Sequence, residues 1–327
     1  MNSRETSLPA MEATLLWRPD RPELRFLPEG PTPLQPGVFS WVAIQHGPDA
    51  TMGSINIFDI ARQSNRSIDL PGRPGFAKPT TVENVFIVGC ERSLGFFHTL
   101  SGQWEPLVSD IDADVEGTII NDGTIYGNNV LFGTKDLEFA TPKASLYLFR
   151  GDENQLVRLA GGQVCSNGKD VIDRGAGGLF LLDIDSPTRK LVQYPLDLAG
   201  GRLGEPQTLI DFGDVPGVPD GMVLTPDEQS AIISFYNPDP APFGITRQYS
   251  LLNGQPEFEW RTPGSPRATC PALVEDASGK IVLIITTAVE FMPQEQRAQA
   301  PNAGCLFVAE TDFNAPPLTP RFPLQNA

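Results

Sequence analysis

The chain has 327 residues, of which 40 are acidic and 24 basic, so that its formal net charge at pH 7 is −16. Such a surface repels phosphate backbones and anionic lipid head groups, which excludes nucleic acid and membranes as expected partners. Four cysteines without paired zinc-type spacing do not indicate a disulfide framework. The polar start and the lack of an apolar run of ~18 residues predict a soluble, cytoplasmic protein.

The two histidines, His46 and His98, are far apart in the sequence. A zinc site or a Ser-His-Asp triad therefore has almost no material to work with. Catalysis would have to use carboxylates, amides, a hard metal ion or a cysteine. A cysteine hydrolase that uses Cys165 or Cys270 stays open as a third hypothesis, although neither histidine lies where it could act as the base.

Strongly apolar segments of strand type recur along the chain at intervals of 45 to 52 residues. They begin near Val38, Asn84, Asn129, Leu179, Ala231 and Ile281. Six such units, each long enough for four short strands, predict an all-β fold, a six-bladed β-propeller. A pair of β-sandwiches is the alternative, but a sandwich has no reason to repeat six times at this spacing.

The ends of the chain complete this prediction. Residues 13–17 form an early strand without a partner in its own unit, and we expect it to join the last blade and close the ring. Residues 1–12 are predicted to be a disordered lead and residues 13–313 a single propeller domain. The Pro-rich residues 314–327 are predicted to be an extended tail. The oligomeric state expected is a monomer or a weak homo-oligomer.

Acidic and amide residues recur at one phase of the repeat, roughly 8 to 12 residues before an apolar strand. They are Glu29, Asn121, Asn167 and Asp220, each in a small Gly-containing segment interpreted as a loop. Equivalent positions of successive blades point to the mouth of the central channel, so we expect these four side chains to converge. Each alone is also explained as an ordinary turn residue. Together, their oxygen atoms are the ligands that Ca²⁺ prefers, with Mg²⁺, Mn²⁺ or Zn²⁺ as further candidates.

The same phase in the other two units falls near Phe76 and at Thr269-Cys270. These positions are predicted to form the apolar or weakly polar wall of the pocket. Lys135 and Glu138 follow Gly133-Thr134 and are predicted to contribute to its rim.

An ordered set of short motifs resembles the gluconolactonase, senescence marker protein (regucalcin) and luciferin-regenerating enzyme family. The motifs are Glu29-Gly30-Pro31, Asn121-Asp122-Gly123, Phe132-Gly133-Thr134, Asn167-Gly168, Pro219-Asp220-Gly221-Met222, Thr286-Thr287-Ala288 and Ala303-Gly304-Cys305-Leu306-Phe307. They run in the family's order over most of residues 13–313.

The resemblance implies a divalent cation, usually Ca²⁺, bound deep in the channel by Glu29, Asn167 and Asp220. It also implies that Asn121 lies beside the metal and contacts the substrate or a bound water. Asp122, Ile119, Lys135, Glu138, Phe76 and Cys270 are the further residues expected around the substrate. Members of the family typically hydrolyse lactones, and Asp220 would then act as general acid and base.

Several positions depart from the family pattern, among them Ser166 in place of a proline and Pro33 in place of a tryptophan, and two of them concern the substrate. Ile119 stands where sugar lactonases often have an arginine, and Lys135 where they often have a methionine. Such a shell favours a less hydroxylated or an anionic lactone over gluconolactone. The preferred hypothesis is a metal-dependent lactonase acting on a small-molecule lactone, and the alternative is a non-catalytic propeller that binds a small molecule or protein around a structural Ca²⁺.

Overall fold

Six sheets are arranged in a ring in the computed structural model, which describes residues 8–324. Within each blade, four strands follow one another antiparallel from the central channel outwards. Their short length and regular alternation of strand and turn follow from the glycines and prolines spread through the chain. The predicted six-bladed β-propeller is therefore confirmed.

The strands of the first three blades, from the channel outwards, have the following bounds. Blade 1 comprises Pro28–Gln35, Val38–Ala43, Ser54–Asp59 and Ser64–Asp69. Blade 2 comprises Pro74–Pro79, Val85–Cys90, Ser93–His98 and Gln103–Val108. Blade 3 comprises Thr118–Tyr126, Asn129–Asp136, Ala144–Arg150 and Gln155–Gln163.

Blades 4 and 5 each carry one additional strand, and blade 6 takes its fourth strand from the N-terminal segment. Blade 4 comprises Ser166–Asp173, Leu179–Asp185, Lys190–Asp197 and two short outer strands, Arg202–Leu203 and Gln207–Asp211. Blade 5 comprises Val218–Leu224, Ser230–Tyr236, Phe243–Ser250, Pro256–Pro263 and Ala10–Glu12. Blade 6 comprises Ala268–Glu275, Ile281–Thr287, Leu306–Glu310 and Thr14–Trp17.

The N-terminal segment closes the ring as predicted, because Thr14–Trp17 pairs antiparallel with Leu306–Glu310 of blade 6. The disordered lead expected over residues 1–12 is wrong in its last part, since Ala10–Glu12 pairs parallel with the outer strand of blade 5. That pairing covers an edge that would otherwise leave backbone groups without partners. Residues 1–7 lie outside the described part of the chain.

The apolar segments used to detect the repeat are the second strands of the blades, not the first. Their predicted starts agree with the observed starts to within one residue, as at Leu179 and Ile281. The polar segments before them, interpreted as loops, are the inner strands themselves. The glycines in these segments, which suggested turns, have another role: they allow the inner strands of neighbouring blades to pack closely.

The Pro-rich tail does not simply extend from the ring. Phe322 is only 5% exposed and packs against Phe96 in blade 2, with ring centroids 5.8 Å apart. Its backbone bridges Thr80, and the side chain of Arg321 donates a hydrogen bond to the carbonyl of Leu34 at 2.5 Å. The tail is therefore anchored on blades 1 and 2 at Arg321 and Phe322, and residues 325–327 lie outside the described part of the chain.

Helical structure is a minor part of the described residues. It comprises the α-helix Gln294–Gln299 and the 3-10 helices Pro22–Arg25, Gly175–Gly177 and Ser186–Thr188. Within residues 8–324, none of these helices has the length and apolar character needed to cross a membrane.

Candidate functional site

A break in strand register occurs near the start of the inner strand in every blade. The breaks lie at Glu29/Thr32, Pro74/Phe76, Ile120/Gly123, Ser166/Lys169, Pro219/Met222 and Ala268/Pro271. A β-bulge places an additional residue in one strand and changes the direction of its side chains. The four residues predicted at one phase all lie at these breaks.

The carboxylates of Glu29, Asp122 and Asp220 lie near one another at the bulged end of the channel, and their charges affect the pKa of Glu29 and of Asp220. Burial raises the pKa of Glu29 to about 8, and the negative charge of Asp122 adds to this effect. Burial also raises the pKa of Asp220 well above its usual value, with the charge of Glu29 as the next cause. The inner strands of blades 1, 3 and 5 thus place three acids in one enclosure, as expected for Glu29, Asp122 and Asp220.

The two predicted asparagines join this enclosure through a direct contact. The side-chain Nδ2 of Asn121 donates to Oδ1 of Asn167 at 2.7 Å and to the carbonyl of Ser166 at 2.9 Å. Nδ2 of Asn167 donates to Oγ of Ser186 at 2.8 Å. Both asparagines are buried, so these bonds fix their amide groups between blades 3 and 4.

A buried ion pair that the sequence reasoning missed positions Asn167. The fully buried Nζ of Lys169 donates to the carbonyl of Asn167 at 2.5 Å and lies 3.7 Å from the carboxylate of Asp183. Asp183 also accepts hydrogen bonds from Ser166 Oγ at 2.8 Å and Gln163 Nε2 at 2.5 Å. The only sign of this ion pair in the sequence is the lysine two residues after Asn167. That spacing does not show which way the lysine points, because the alternation of side chains between the two faces of a strand does not hold across a bulge.

Glu29 is positioned from the neighbouring blade. Oγ1 of Thr269 donates to the carbonyl of Pro28 at 2.7 Å and shares a second hydrogen bond of 2.7 Å with Thr286. The carboxylate of Glu29 accepts the backbone N–H of Gly30 at 2.8 Å. Blade 6 therefore holds the strand that carries Glu29 in blade 1.

Two glycines allow the inner strands to approach each other closely. A Cβ atom at Gly221 would lie 2.4 Å from Sγ of Cys270, and one at Gly168 would lie 2.8 Å from the carbonyl oxygen of Asp220. Neither glycine has a positive φ in this structure. Their role is steric, since any side chain would separate blade 5 from blade 6 or blade 4 from blade 5.

The residues predicted to surround the substrate lie in different environments: some line a cavity, some are buried in a blade and one is exposed. Asp122 and Cys270 line a cavity of about 80 Å³ in the channel. Ile119 is buried and lies directly opposite Lys135 in the antiparallel pair of blade 3, so both side chains are on one face of the sheet. Glu138 is exposed in the loop after that strand, and the charges acting on Glu29 and Asp220 do not include it.

Phe76 does not form a channel wall, which corrects the expectation from its phase. It is 1% exposed and packs between blades 2 and 3, with its ring centroid 6.2 Å from that of Phe132. Gly75, beside it, faces the backbone of blade 3, where a Cβ atom would lie 2.1 Å from the carbonyl oxygen of Asn121. The close approach at Gly75 turns the aromatic ring into the core.

The cavity that Asp122 and Cys270 line continues towards the opposite end of the inner strands, where residues 317–320 of the tail line it. Lys78 and Asp170 are among its polar residues. Burial raises the pKa of Asp170 to about 6, and its Oδ1 accepts a hydrogen bond from Thr124 at 3.2 Å. The volume is sufficient for a few water molecules.

A segment of blade 6 contributes one more acidic group. The carboxylate of Glu290 adds to the raised pKa of Asp220, after burial and the charges of Glu29 and Asp122. The carbonyl of Glu290 accepts hydrogen bonds from Tyr236 Oη at 3.1 Å and from the guanidinium of Arg267. Arg267 is only 3% exposed, so blade 5 and blade 6 hold this segment firmly.

The donor set has the chemistry that a hard divalent cation requires. No hydrogen bond or ion pair to the carboxylate of Asp220 is formed within residues 8–324, although the residue is only 8% exposed. A buried carboxylate without a partner is costly unless a cation or a proton neutralises it. No group of three or more His, Cys, Asp or Glu in this range is arranged to hold a metal. A cation here would therefore combine carboxylate with amide oxygens, and the set Glu29, Asn167 and Asp220 stays a prediction.

The two thiols beside the acids do not have the properties of a nucleophile. Burial raises the pKa of Cys165 to about 12. Burial and the charge of Glu29 raise the pKa of Cys270 well above its usual value. A cysteine nucleophile needs the opposite shift, because the thiolate is the reactive form.

A six-bladed propeller with acids and amides at the bulges of its inner strands defines the class of protein. The chain belongs to the SMP-30/gluconolactonase/LRE-like family, whose model matches residues 27–289. It is 29% identical over 268 residues to YvrE of Bacillus subtilis (strain 168), which is named as a sugar lactone lactonase; the match covers 81% of this chain and 86% of that protein. An uncharacterized protein of Sulfolobus acidocaldarius is 30% identical over 156 residues, 48% of this chain and 52% of that protein.

Solved structures share the fold at low sequence identity. The calcium-binding protein regucalcin of Agrobacterium tumefaciens has a TM-score of 0.76 at 19% identity, covering 95% of this chain and 98% of that one. A luciferin-regenerating enzyme has a TM-score of 0.71 at 18% identity, covering 88% and 92%. These likenesses establish the architecture of the ring.

The raised pKa of Glu29 predicts how the stability of the metal-free protein depends on pH. Between its ordinary value of 4.5 and about 8, the folded state retains a proton that the unfolded state has lost. The free energy of unfolding should therefore fall as pH rises through this window, by at most about 1.4 kcal/mol per pH unit for this group. Urea denaturation at pH 5, 6, 7 and 8 in the presence of a chelator measures this pH dependence of the free energy of unfolding. Glu29→Gln should flatten the dependence, and an equal slope in both proteins would contradict the prediction.

Proposed function

We propose that this protein is a lactonase that opens a small-molecule lactone by divalent-metal-dependent hydrolysis at the acidic end of the channel. The observation that carries the proposal is the buried, unpaired carboxylate of Asp220 beside Glu29, Asp122 and the asparagine pair. Family membership and the relative YvrE, named as a sugar lactone lactonase, support the reaction class.

Asp220 is assigned the role of general base and acid. A carboxylate whose pKa is raised by burial is a stronger base, and it can take a proton from the attacking water and return it to the departing ring oxygen. The amide of Asn121 is fixed by its bonds to Asn167 and Ser166, so it can orient the substrate or the water without reorganising.

Glu29, Asn167 and Asp220 would hold the cation, with Ca²⁺ favoured by the hard oxygen donors over Mg²⁺, Mn²⁺ or Zn²⁺. When bound, the cation supplies Lewis acid polarisation of the carbonyl and neutralises the developing negative charge. The same residues would equally hold a structural Ca²⁺ in a binding protein without catalysis, which is the alternative function.

The lactone is inferred to carry few hydroxyl groups. Ile119 offers no hydrogen-bond donor at the position where the resemblance places an arginine, and it is 2% exposed. Each sugar hydroxyl left unpaired in a partly dry pocket costs about 1 to 3 kcal/mol.

Replacing Asp220 by asparagine should abolish most hydrolysis while the ring remains folded. Asparagine keeps a ligand oxygen but cannot accept a proton at neutral pH, so kcat should fall by ~10²–10⁴-fold. Initial rates on a lactone panel, with and without chelator, measure the effect. Asp173→Asn is the matched control, because Asp173 lies in an inner strand but is exposed and binds Tyr126 Oη at 2.7 Å. Near wild-type turnover of Asp220→Asn would refute the assigned role.

Removing a ligand should weaken cation binding. Glu29→Gln removes a charge and Asn167→Ala removes an oxygen donor, so both should bind Ca²⁺ at least about tenfold more weakly in calorimetry. Bound cation should raise the melting temperature of the wild type, since it binds the folded ring. Glu205→Gln, in an exposed segment, is the control. Unchanged affinity in both site variants would mean that the cation, if bound, is held elsewhere.

Substrate preference provides a separate measurement. The value of kcat/KM for gluconolactone should be roughly ten- to a hundredfold lower than for an unsubstituted lactone of the same ring size, given the unpaired hydroxyls. A clear preference for gluconolactone would contradict the inferred role of Ile119.

A further inference from the structure

The end of the channel opposite to the bulges, here called the lower mouth, is covered by a segment that belongs to no blade. The cavity beneath it lies on the axis of the ring, because the inner strand of every blade contributes to its lining, at Thr32, Lys78, Thr124, Asp170, Val223 and Leu273. All of its lining outside the inner strands comes from residues 317–320 of the C-terminal segment. The segment therefore lies across the axis.

The C-terminal segment is fixed on both sides of the axis. It leaves blade 6 at Glu310, where the third strand of that blade ends. Beyond the axis, the backbone N–H of Phe322 donates to the carbonyl of Pro79 at 3.0 Å, and its carbonyl accepts the N–H of Thr81 at 2.9 Å. The ring of Phe322 fills a gap between blades 2 and 3, where a Cβ atom at Gly151 would lie 2.8 Å from its Cζ. Both contacts lie just beyond the ends of strands, so they are made at the lower face of the ring.

The composition of the segment suits a crossing of this length. It contains four prolines within eight residues, Pro316, Pro317, Pro320 and Pro323. Proline fixes φ and favours the extended polyproline conformation, which rises about 3.1 Å per residue, so that residues 311–322 can span on the order of 35 Å. Proline also restricts the unfolded chain, which reduces the conformational entropy lost when the segment docks.

Polar side chains lie beneath the crossing. Nζ of Lys78 is 3.5 Å from Oγ1 of Thr32, and Thr124 donates to Asp170. These groups line a cavity of about 80 Å³, which is large enough for a few water molecules. The crossing segment separates this polar cavity from the solvent below the ring.

We propose that residues 314–324 are a strap that closes the lower mouth, so that the channel opens to solvent at its bulged end alone. A ligand of the acidic site would then enter and leave by the same route. The water beneath the strap would exchange through the site instead of through the lower face. This inference stands apart from the proposed function, since it requires neither a lactone nor a cation.

The thiols of the protein provide a direct measurement of this closure. Cys270 lines the cavity beneath the strap. The other three cysteines are buried and do not line it, and they serve as internal controls: Cys90, Cys165 and Cys305. The native protein is treated with methyl methanethiosulfonate, a small thiol reagent, and the rate of modification at each cysteine is measured by mass spectrometry of its peptides.

Two variants release the strap in different ways. The first is a chain that ends at Phe313. The second is Thr81→Ala with Arg321→Ala, which removes the hydrogen bonds from Arg321 to the carbonyl of Leu34 and from Leu324 to Oγ1 of Thr81 without altering the core. In the shortened chain Cys270 should react at least about tenfold faster, because a closed route becomes open, while the other thiols keep their rates. The double variant should change in the same direction and decides the question if the shortened chain does not fold.

Leu318→Ser is the matched control. Leu318 lies in the strap with its side chain exposed, and its replacement leaves the contacts of Arg321 and Phe322 in place, so Cys270 should react as in the wild type. An unchanged rate at Cys270 in the strap variants would overturn the proposal, because the blades themselves would then close the lower mouth. An equal rise at all four thiols would also overturn it, since the segment would then only stabilise the ring.

Discussion

Repulsion among buried carboxylates at the centre of the ring is the constraint on which the rest of the site depends. Glu29, Asp122 and Asp220 come from three different blades, and the charge of Asp122 adds to the raised pKa of both Glu29 and Asp220. Like charges in a low-dielectric enclosure persist only if a proton, a lysine or a metal ion balances them. Lys135 opposes the rise in the pKa of Glu29 and of Asp220, and the oxygen donors of the site suit a divalent cation.

The surrounding framework is built to hold the acids against this repulsion. Thr269 fixes the strand before Glu29 from blade 6, and Lys169 with Asp183 fixes the backbone of Asn167 inside blade 4. The strand Thr14–Trp17 closes the ring, so that no sheet can open at its edge to relieve the strain. The apolar packing between blades and the pairing of the first and last segments stabilise the ring, and they offset the free-energy cost of the buried carboxylates.

The chemistry available at this site narrows the functional choices. Protonated thiols at Cys165 and Cys270 do not provide a nucleophile, whereas a carboxylate with a raised pKa provides a proton acceptor. The family comparison supports lactone hydrolysis, and the proposal that the lactone carries few hydroxyl groups rests on the apolar, buried side chain of Ile119. The proposed enzyme therefore shares the reaction class of its named relative, and its particular lactone stays a prediction.

Local sequence by itself determined the number of blades and the second strand of each, because a buried strand must be a continuous apolar run and these runs repeat at a nearly constant interval. It also selected Glu29, Asn121, Asn167 and Asp220, since residues at one phase of a repeat meet at the axis. The tertiary structure decided the features that local conformational propensity does not determine. The segments that resemble turns are bulged inner strands, the close approach at Gly75 directs Phe76 into the core, and the pairing with Cys165 places the backbone of Lys135 at the start of blade 4. Each of these depends on a neighbouring blade that is distant in sequence, and so no local pattern carries it.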